Sequence, residues 1–157
     1  MTENPVDEPR WTPPRWLNRS MTWMLKTPGL QRLAGRGTAL ITFIGRRSGR
    51  SITTPVSYVE FDGEIVVTCH RTRQWWRNLA ANPDVELRLA GRERRGIATV
   101  IEDPEEALDV FVRLLKAQPV VAKVSGIPID PEGRPDLAKT MEVLDYTIVV
   151  SIKLEED

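Results

Sequence analysis

From residue 39 to residue 101 the apolar positions recur mainly at a spacing of two, the period of a half-buried strand. Ala39–Ile44 is a short apolar, β-branched run. In Ile52–Phe61 the side chains of Ile52, Thr54, Val56 and Tyr58 share one face. Asp62-Gly63 calls for a tight hairpin, and Glu64–Cys69 returns as a third strand. Gln74–Ala81 reads as one short helix closed by Asn82-Pro83. Val85–Leu89 and Arg94–Ile101 form a second hairpin across Ala90-Gly91-Arg92-Glu93. The period then lengthens. Asp103-Pro104-Glu105-Glu106 is a helix start with acids facing the positive end of the dipole, and Ala107, Leu108, Phe111, Leu114 and Leu115 supply its buried stripe. Asp145–Leu154 is a final strand, with Tyr146, Ile148, Val150, Ile152 and Leu154 in strict alternation.

The ends of this pattern are less regular. Residues 1–11 are polar and proline-marked and read as a loose tail. Thr12-Pro13 opens an amphipathic helix over 13–26, which stops near Thr27-Pro28-Gly29. Trp16, Leu17, Met21, Trp23 and Met24 share one face of it, and Arg15, Arg19 and Lys26 the other. That face either docks on the protein's own domain or lies on an anionic membrane surface as a peripheral contact. Residues 118–136 carry Pro119, Pro128, Pro131 and Pro135 and no clear period; their place before the last strand suits a substrate-side lid. Six strands joined by short turns, with helices between them, predict an α+β fold. The expected architecture is a small, six-stranded, mostly antiparallel barrel in one domain spanning 12–157. The turns are too short for the crossovers of a doubly wound sheet.

Composition narrows the chemistry. The chain has 157 residues, one cysteine (Cys69) and one histidine (His70), too few for a structural zinc site or an internal disulfide. No metal site is expected. No signal peptide or membrane span is evident, so a cytoplasmic location is expected. Bases and acids balance at 22 each, yet residues 9–59 hold nine bases and no acid. Such a stretch attracts anions.

Two segments could receive one. Gly45-Arg46-Arg47-Ser48-Gly49-Arg50 combines glycines, whose backbone N–H groups could form an anion nest, with three guanidinium groups and a hydroxyl. It lacks the spacing of a nucleotide triphosphate loop. An ordinary exposed hairpin would look much the same. Arg71-Thr72-Arg73-Gln74-Trp75-Trp76-Arg77-Asn78-Leu79 places two tryptophans about 100° apart on a helix, so that one packs inward while the other lines a groove or another element. Arg73 and Arg77, four apart, would share a face. A ring flanked by arginines suits an aromatic anion, but it equally suits a plug over a barrel end.

Gly45–Arg50 followed by Thr53-Thr54-Pro55-Val56, and Trp75-Trp76-Arg77-Asn78-Leu79 followed by Asn82-Pro83, together resemble the deazaflavin (coenzyme F420)-dependent nitroreductase and oxidoreductase family, in its short-loop branch. The likeness covers roughly residues 15–102. It implies a split barrel related to FMN-binding barrels, holding F420 in a groove, with FMN the second choice. By that resemblance Arg46, Arg47, Ser48, Gly49 and Arg50 grip the cofactor's phosphate and oligoglutamate tail. Thr54 and Pro55 turn the backbone along the ring, and Trp75, Trp76 and Asn78 stand beside it. The implied reaction is hydride transfer from the reduced ring to a small electron-poor acceptor: a quinone, enone or nitroaromatic. A non-catalytic carrier of deazaflavin, another flavin-like ring or lipid is the alternative, because no proton donor stands out; Tyr58, His70 and Ser125 are equal candidates. Ile52 occupies a position where many members carry arginine. No nucleic-acid partner is expected, and the oligomer is a monomer or homodimer.

Overall fold

The structure is a computed structural model and describes residues 37–156. The tail at 1–11 and the helix expected over 13–26 lie outside the described residues. Six strands, β1 (Thr38–Ile44), β2 (Ser51–Phe61), β3 (Glu64–His70), β4 (Asp84–Leu89), β5 (Arg92–Ile101) and β6 (Thr147–Leu154), close into an antiparallel barrel in the order β1-β2-β3-β6-β5-β4. Among the described residues four helices accompany them: α1 (Trp76–Ala81), α2 (Pro104–Ala117), α3 (Pro119–Val124) and α4 (Leu137–Asp145).

Period-two patterning decides which side chains fill the barrel. Ala39, Ile41 and Phe43 of β1, Ile65 and Val67 of β3, Val85 and Leu87 of β4, and Ile148, Val150 and Ile152 of β6 all point inward. Trp76 and Leu79 of α1 join the same cluster, so this short helix plugs the interior. A second apolar layer lies outside. Val66 and Val149 turn the other way and meet Phe111, Leu114 and Leu115 of α2 and Val143 of α4. β6 is therefore buried on both faces.

Local chemistry explains the boundaries. Asp62 and Gly63 both adopt positive φ, 53° and 76°, as the two-residue β2–β3 hairpin requires. Asp103 caps α2 by accepting from the Glu106 N–H at 3.0 Å, with Pro104 just inside. Three expectations are revised. The β4–β5 turn is only Ala90-Gly91, both at positive φ, so β5 begins at Arg92 rather than Arg94. The first short helix starts at Trp76, not Gln74, because residues 71–74 form turns. The last strand starts at Thr147, because Asp136 caps an unforeseen helix, α4, by accepting from the Lys139 N–H at 2.8 Å.

Candidate functional site

The barrel is closed but two of its seams are short. β1 meets β4 only from Leu40 to Thr42, opposite Arg88 to Glu86. β2 meets β3 only from Tyr58 to Phe61, opposite Val67 to Glu64. Among the described residues Ser51–Ser57 of β2 therefore pair with β1 alone, and Thr68–His70 of β3 with β6 alone.

Pro55 marks the second opening. The Tyr58 N–H donates to the Gly37 carbonyl at 2.8 Å, so the N–H groups of Val56 and Thr54, at the same parity, also face β1. Position 55 faces the unpaired side. A proline there removes no ladder hydrogen bond, which is why it is accommodated in mid-strand. Thr54 and Pro55, expected to turn the backbone, lie instead in the uninterrupted strand β2 and form half-buried wall. Continuous pairing to β1 holds this stretch extended.

The loop Gly45–Arg50 joins β1 to β2 and is a hairpin whose backbone is largely satisfied internally. Gly45 N–H donates to the Arg50 carbonyl (2.8 Å) and Gly49 N–H to the Gly45 carbonyl (2.9 Å). Arg50 N–H donates to Ser48 Oγ (3.2 Å), and Arg46 N–H to Asn78 Oδ1 (2.9 Å). Gly49 takes positive φ (66°). The expected nest of outward N–H groups is thus narrowed: only Arg47 and Ser48 keep N–H groups without an acceptor among the described residues. Arg46, Arg47 and Arg50 are exposed, and none is in an ion pair among the described residues.

Of the two tryptophans, Trp76 is the inward one, with its indole N–H donating to the Arg71 carbonyl at 3.3 Å. Trp75 is half-buried, its ring 6.1 Å from that of Phe43. Arg77 lies over the Trp76 ring at 5.4 Å, whereas Arg73 sits in a turn before the helix and does not share a helical face with it. Asn78 uses both ends of its carboxamide within the protein, accepting from Arg46 and donating to the Trp75 carbonyl at 3.0 Å.

The three candidate proton donors separate. Tyr58 and His70 lie on the strands bordering the β2–β3 opening, while Ser125 follows α3 in the outer helical layer. Burial, with a smaller effect from the Glu60 charge, pushes the Tyr58 phenol up, so it keeps its proton at neutral pH. His70 stacks on Tyr146, 5.6 Å between rings, with its Nδ1 paired to Thr72 Oγ1 at 2.7 Å. The Tyr146 contact was not anticipated. It arises because α4 delivers the chain back to β6 beside the end of β3.

Charge distinguishes the openings. Residues 45–57 and 68–83, which frame the β2–β3 opening and its adjoining loop, contain six arginines (46, 47, 50, 71, 73 and 77) and no acid. The β1–β4 opening adjoins a cleft of about 360 Å³ whose lining includes Asp84, Glu86 and Glu155, with Arg95 already 3.7 Å from Glu86. A polyanion is attracted to the β2–β3 opening and repelled by the β1–β4 cleft.

The sequence profile of F420H(2)-dependent quinone reductases matches residues 17–129. The chain belongs to that family. It is accordingly an F420H2-dependent oxidoreductase, and its cofactor is coenzyme F420. Over 85 residues it is 27% identical to Rv3178 of Mycobacterium tuberculosis, which carries the same quinone reductase name; the alignment spans 51% of this chain and 71% of that one. In fold it is similar to the conserved hypothetical protein Rv2991 of M. tuberculosis (20% identity, TM-score 0.53, 79% of this chain and 76% of that one). It is also similar to HutZ, the heme storage protein of Vibrio cholerae (13% identity, TM-score 0.51, 88% and 90%). The family's chemistry fits the donor set: guanidinium groups, two free N–H groups and a serine hydroxyl suit phosphate and carboxylate oxygens. Among the described residues no helix is long and apolar enough to cross a membrane.

Proposed function

We propose that this enzyme reduces small electron-poor acceptors, quinones first among them, with F420H2 lying along the β2–β3 opening. The observation that carries the reading is the acid-free frame of six arginines around that opening. In it Arg46, Arg47, Ser48, Gly49 and Arg50 take the anionic tail, and Thr54, Pro55 and Trp75 border the ring. Trp76 supports from within the barrel rather than touching the ligand. The reduced deazaflavin, when bound, supplies the hydride. Conversion of a quinone to a hydroquinone needs a proton besides, and Tyr58 and His70 are the groups on this chain placed to hold one near the opening.

Binding must fix a ring as well as hold a tail. Charge-assisted hydrogen bonds contribute roughly 1.5–3 kcal/mol each, against about 8 kcal/mol for micromolar affinity. A few of them hold a tail, but orientation for hydride transfer needs the apolar wall of β2 and Trp75. Titration of the protein with F420 and FMN, followed by turnover of F420H2 with quinone, enone and nitroaromatic acceptors, tests the proposal. F420 is expected to bind at least tenfold tighter than FMN, about 1.4 kcal/mol, and quinones to be reduced fastest. Equal affinity for FMN, or tight F420 binding without turnover of any acceptor, defeats it; the latter would identify a carrier.

A further inference from the structure

Asn78 joins two parts of the molecule that are 32 residues apart in sequence. Its Oδ1 accepts from the Arg46 N–H at 2.9 Å and its Nδ2 donates to the Trp75 carbonyl at 3.0 Å. The amide orientation is forced, because an N–H partner demands the oxygen and a carbonyl partner demands the nitrogen. The Trp75 carbonyl also accepts from the Asn78 N–H at 3.1 Å, and the Asn78 carbonyl accepts from Asn82 N–H at 2.9 Å, so the residue is held at both ends of its own helix. α1 is in turn anchored in the barrel by Trp76 and Leu79, which are 9% and 1% exposed.

A chain of fixed contacts therefore runs from the barrel interior through α1 and the Asn78 carboxamide to the backbone of Arg46. Among the described residues the exposed arginine loop is otherwise held by bonds within itself and by the ends of β1 and β2. A carboxamide with both ends engaged offers little to a ligand. We propose that Asn78 is a positioning residue: it sets the loop's distance and direction relative to the aromatic plug, so that tail and ring of one cofactor are met together. This rests on the cofactor placement proposed above, and it reverses the expectation that Asn78 itself touches the cofactor.

The test combines amide exchange with binding. In the cofactor-free wild type the Arg46 amide should exchange at least tenfold more slowly than those of Arg47 and Ser48, which have no acceptor among the described residues. Asn78→Ala should remove that protection, whereas Asn78→Asp, which keeps an acceptor oxygen, should retain it. Asn78→Ala should also raise the Kd and KM for F420 about tenfold with a change in kcat below threefold. In a double-mutant cycle, Arg47→Ala should cost less affinity in the Asn78→Ala background than in the wild type, because the guanidinium is no longer aimed. Equal exchange at Arg46, Arg47 and Ser48 in the wild type overturns the inference without any variant. So does wild-type F420 affinity in an exchange-labile Asn78→Ala, or strict additivity with Arg47→Ala, which would mark Asn78 as an independent contact. If the wild type fails to bind F420, the proposed placement fails first and the inference falls with it. Tight wild-type binding with an unaltered Asn78→Ala overturns the inference alone.

Discussion

Replacing both Arg46 and Arg47 by alanine isolates charge from shape. The loop's internal bonds use the backbone of Gly45, Gly49 and Arg50, the Ser48 hydroxyl and the Asn78 amide, none of which the substitutions remove. Both side chains are exposed and unpaired among the described residues, so fold stability should barely change. A charge-assisted hydrogen bond is worth roughly 1.5–3 kcal/mol, but exposed ion pairs yield about 0.2–1 kcal/mol. Arginines clamping a multiply charged tail fall between these, at about 1–1.5 kcal/mol each. The double variant should therefore bind F420 about 2–3 kcal/mol more weakly, a Kd roughly 30- to 150-fold higher. In the proposed placement the lost contacts lie on the tail and are the same in ground and transition states, so kcat at saturating F420H2 should fall far less than kcat/KM. Salt screens the same charges, since the Debye length contracts from about 10 Å at 0.1 M to about 3 Å at 1 M; raising it should weaken the wild type more than the variant. Fluorescence titration at two salt concentrations, with steady-state kinetics, measures all of this. A Kd within twofold of wild type and an unchanged salt slope would show that the loop is merely a hairpin.

Three further outcomes follow from packing and burial. Burial pushes the Cys69 thiol up to about 12, against the opposing charge of Arg73. Its neutral form thus stabilises the fold fully below about pH 9, and that contribution is lost between about pH 9 and 12, where the unfolded thiol ionises and the folded one does not. The stability difference between wild type and Cys69→Val should shrink across that window in denaturation curves, and a constant difference would contradict the burial argument. Phe111→Ala should destabilise by about 3–5 kcal/mol by emptying the layer between α2 and the barrel's outer face, where Phe111 is 1% exposed; a melting temperature lowered by less than a few degrees would place that layer outside the cooperative fold. Gly96→Ala sets a methyl 2.9 Å from the Lys153 carbonyl oxygen on the neighbouring strand, so the β5–β6 ladder must shift, with a loss of about 1–3 kcal/mol by urea unfolding; a neutral substitution would mean the ladder yields freely there.

Most strands were readable in the sequence because each has one face in the barrel and its alternation is local information. The Asp62-Gly63 turn and the Asp103-Pro104 helix start were readable for the same reason: their signals lie within four residues. α4 was not, since its burial is shallow, with Leu137 and Met141 both more than half exposed, and prolines obscure its approach. The candidate loop was visible in composition, but the fate of its N–H groups was not. Arg46 finds its acceptor 32 residues away, a partner that only the fold supplies. Pro55 shows the converse. The family resemblance implied that it turns the backbone along the ring, whereas it lies in a continuous strand with no β3 partner opposite it among the described residues. The stacking of His70 on Tyr146, 76 residues apart, likewise depends on β3–β6 pairing, which no local pattern reveals.

The zero net charge of the chain conceals a spatial division that bears on how a polyanion would reach it. Residues 101–157 carry thirteen acids and six bases and supply α2, α3 and α4, outside the barrel. Several acids there are matched locally: Asp109 meets Arg113 at 3.1 Å, Asp130 meets Arg134 at 2.9 Å, and Glu142 meets Lys139 at 3.0 Å. The six arginines around the β2–β3 opening have no such carboxylate partners among the described residues. Exposed like charges cost little fold stability in water, because solvent screens them, yet their combined field extends to about a Debye length. That field favours the proposed placement of an anionic cofactor on the arginine side over the acidic cleft at the β1–β4 seam. Of the six, Arg71 donates to the Asp145 carbonyl at 3.1 Å and Arg77 lies over the Trp76 ring, whereas Arg46, Arg47 and Arg50 are exposed and in no ion pair among the described residues. The apolar interior and outer helical layer hold the barrel together without these three guanidinium groups, which leaves their charge for the proposed anionic ligand.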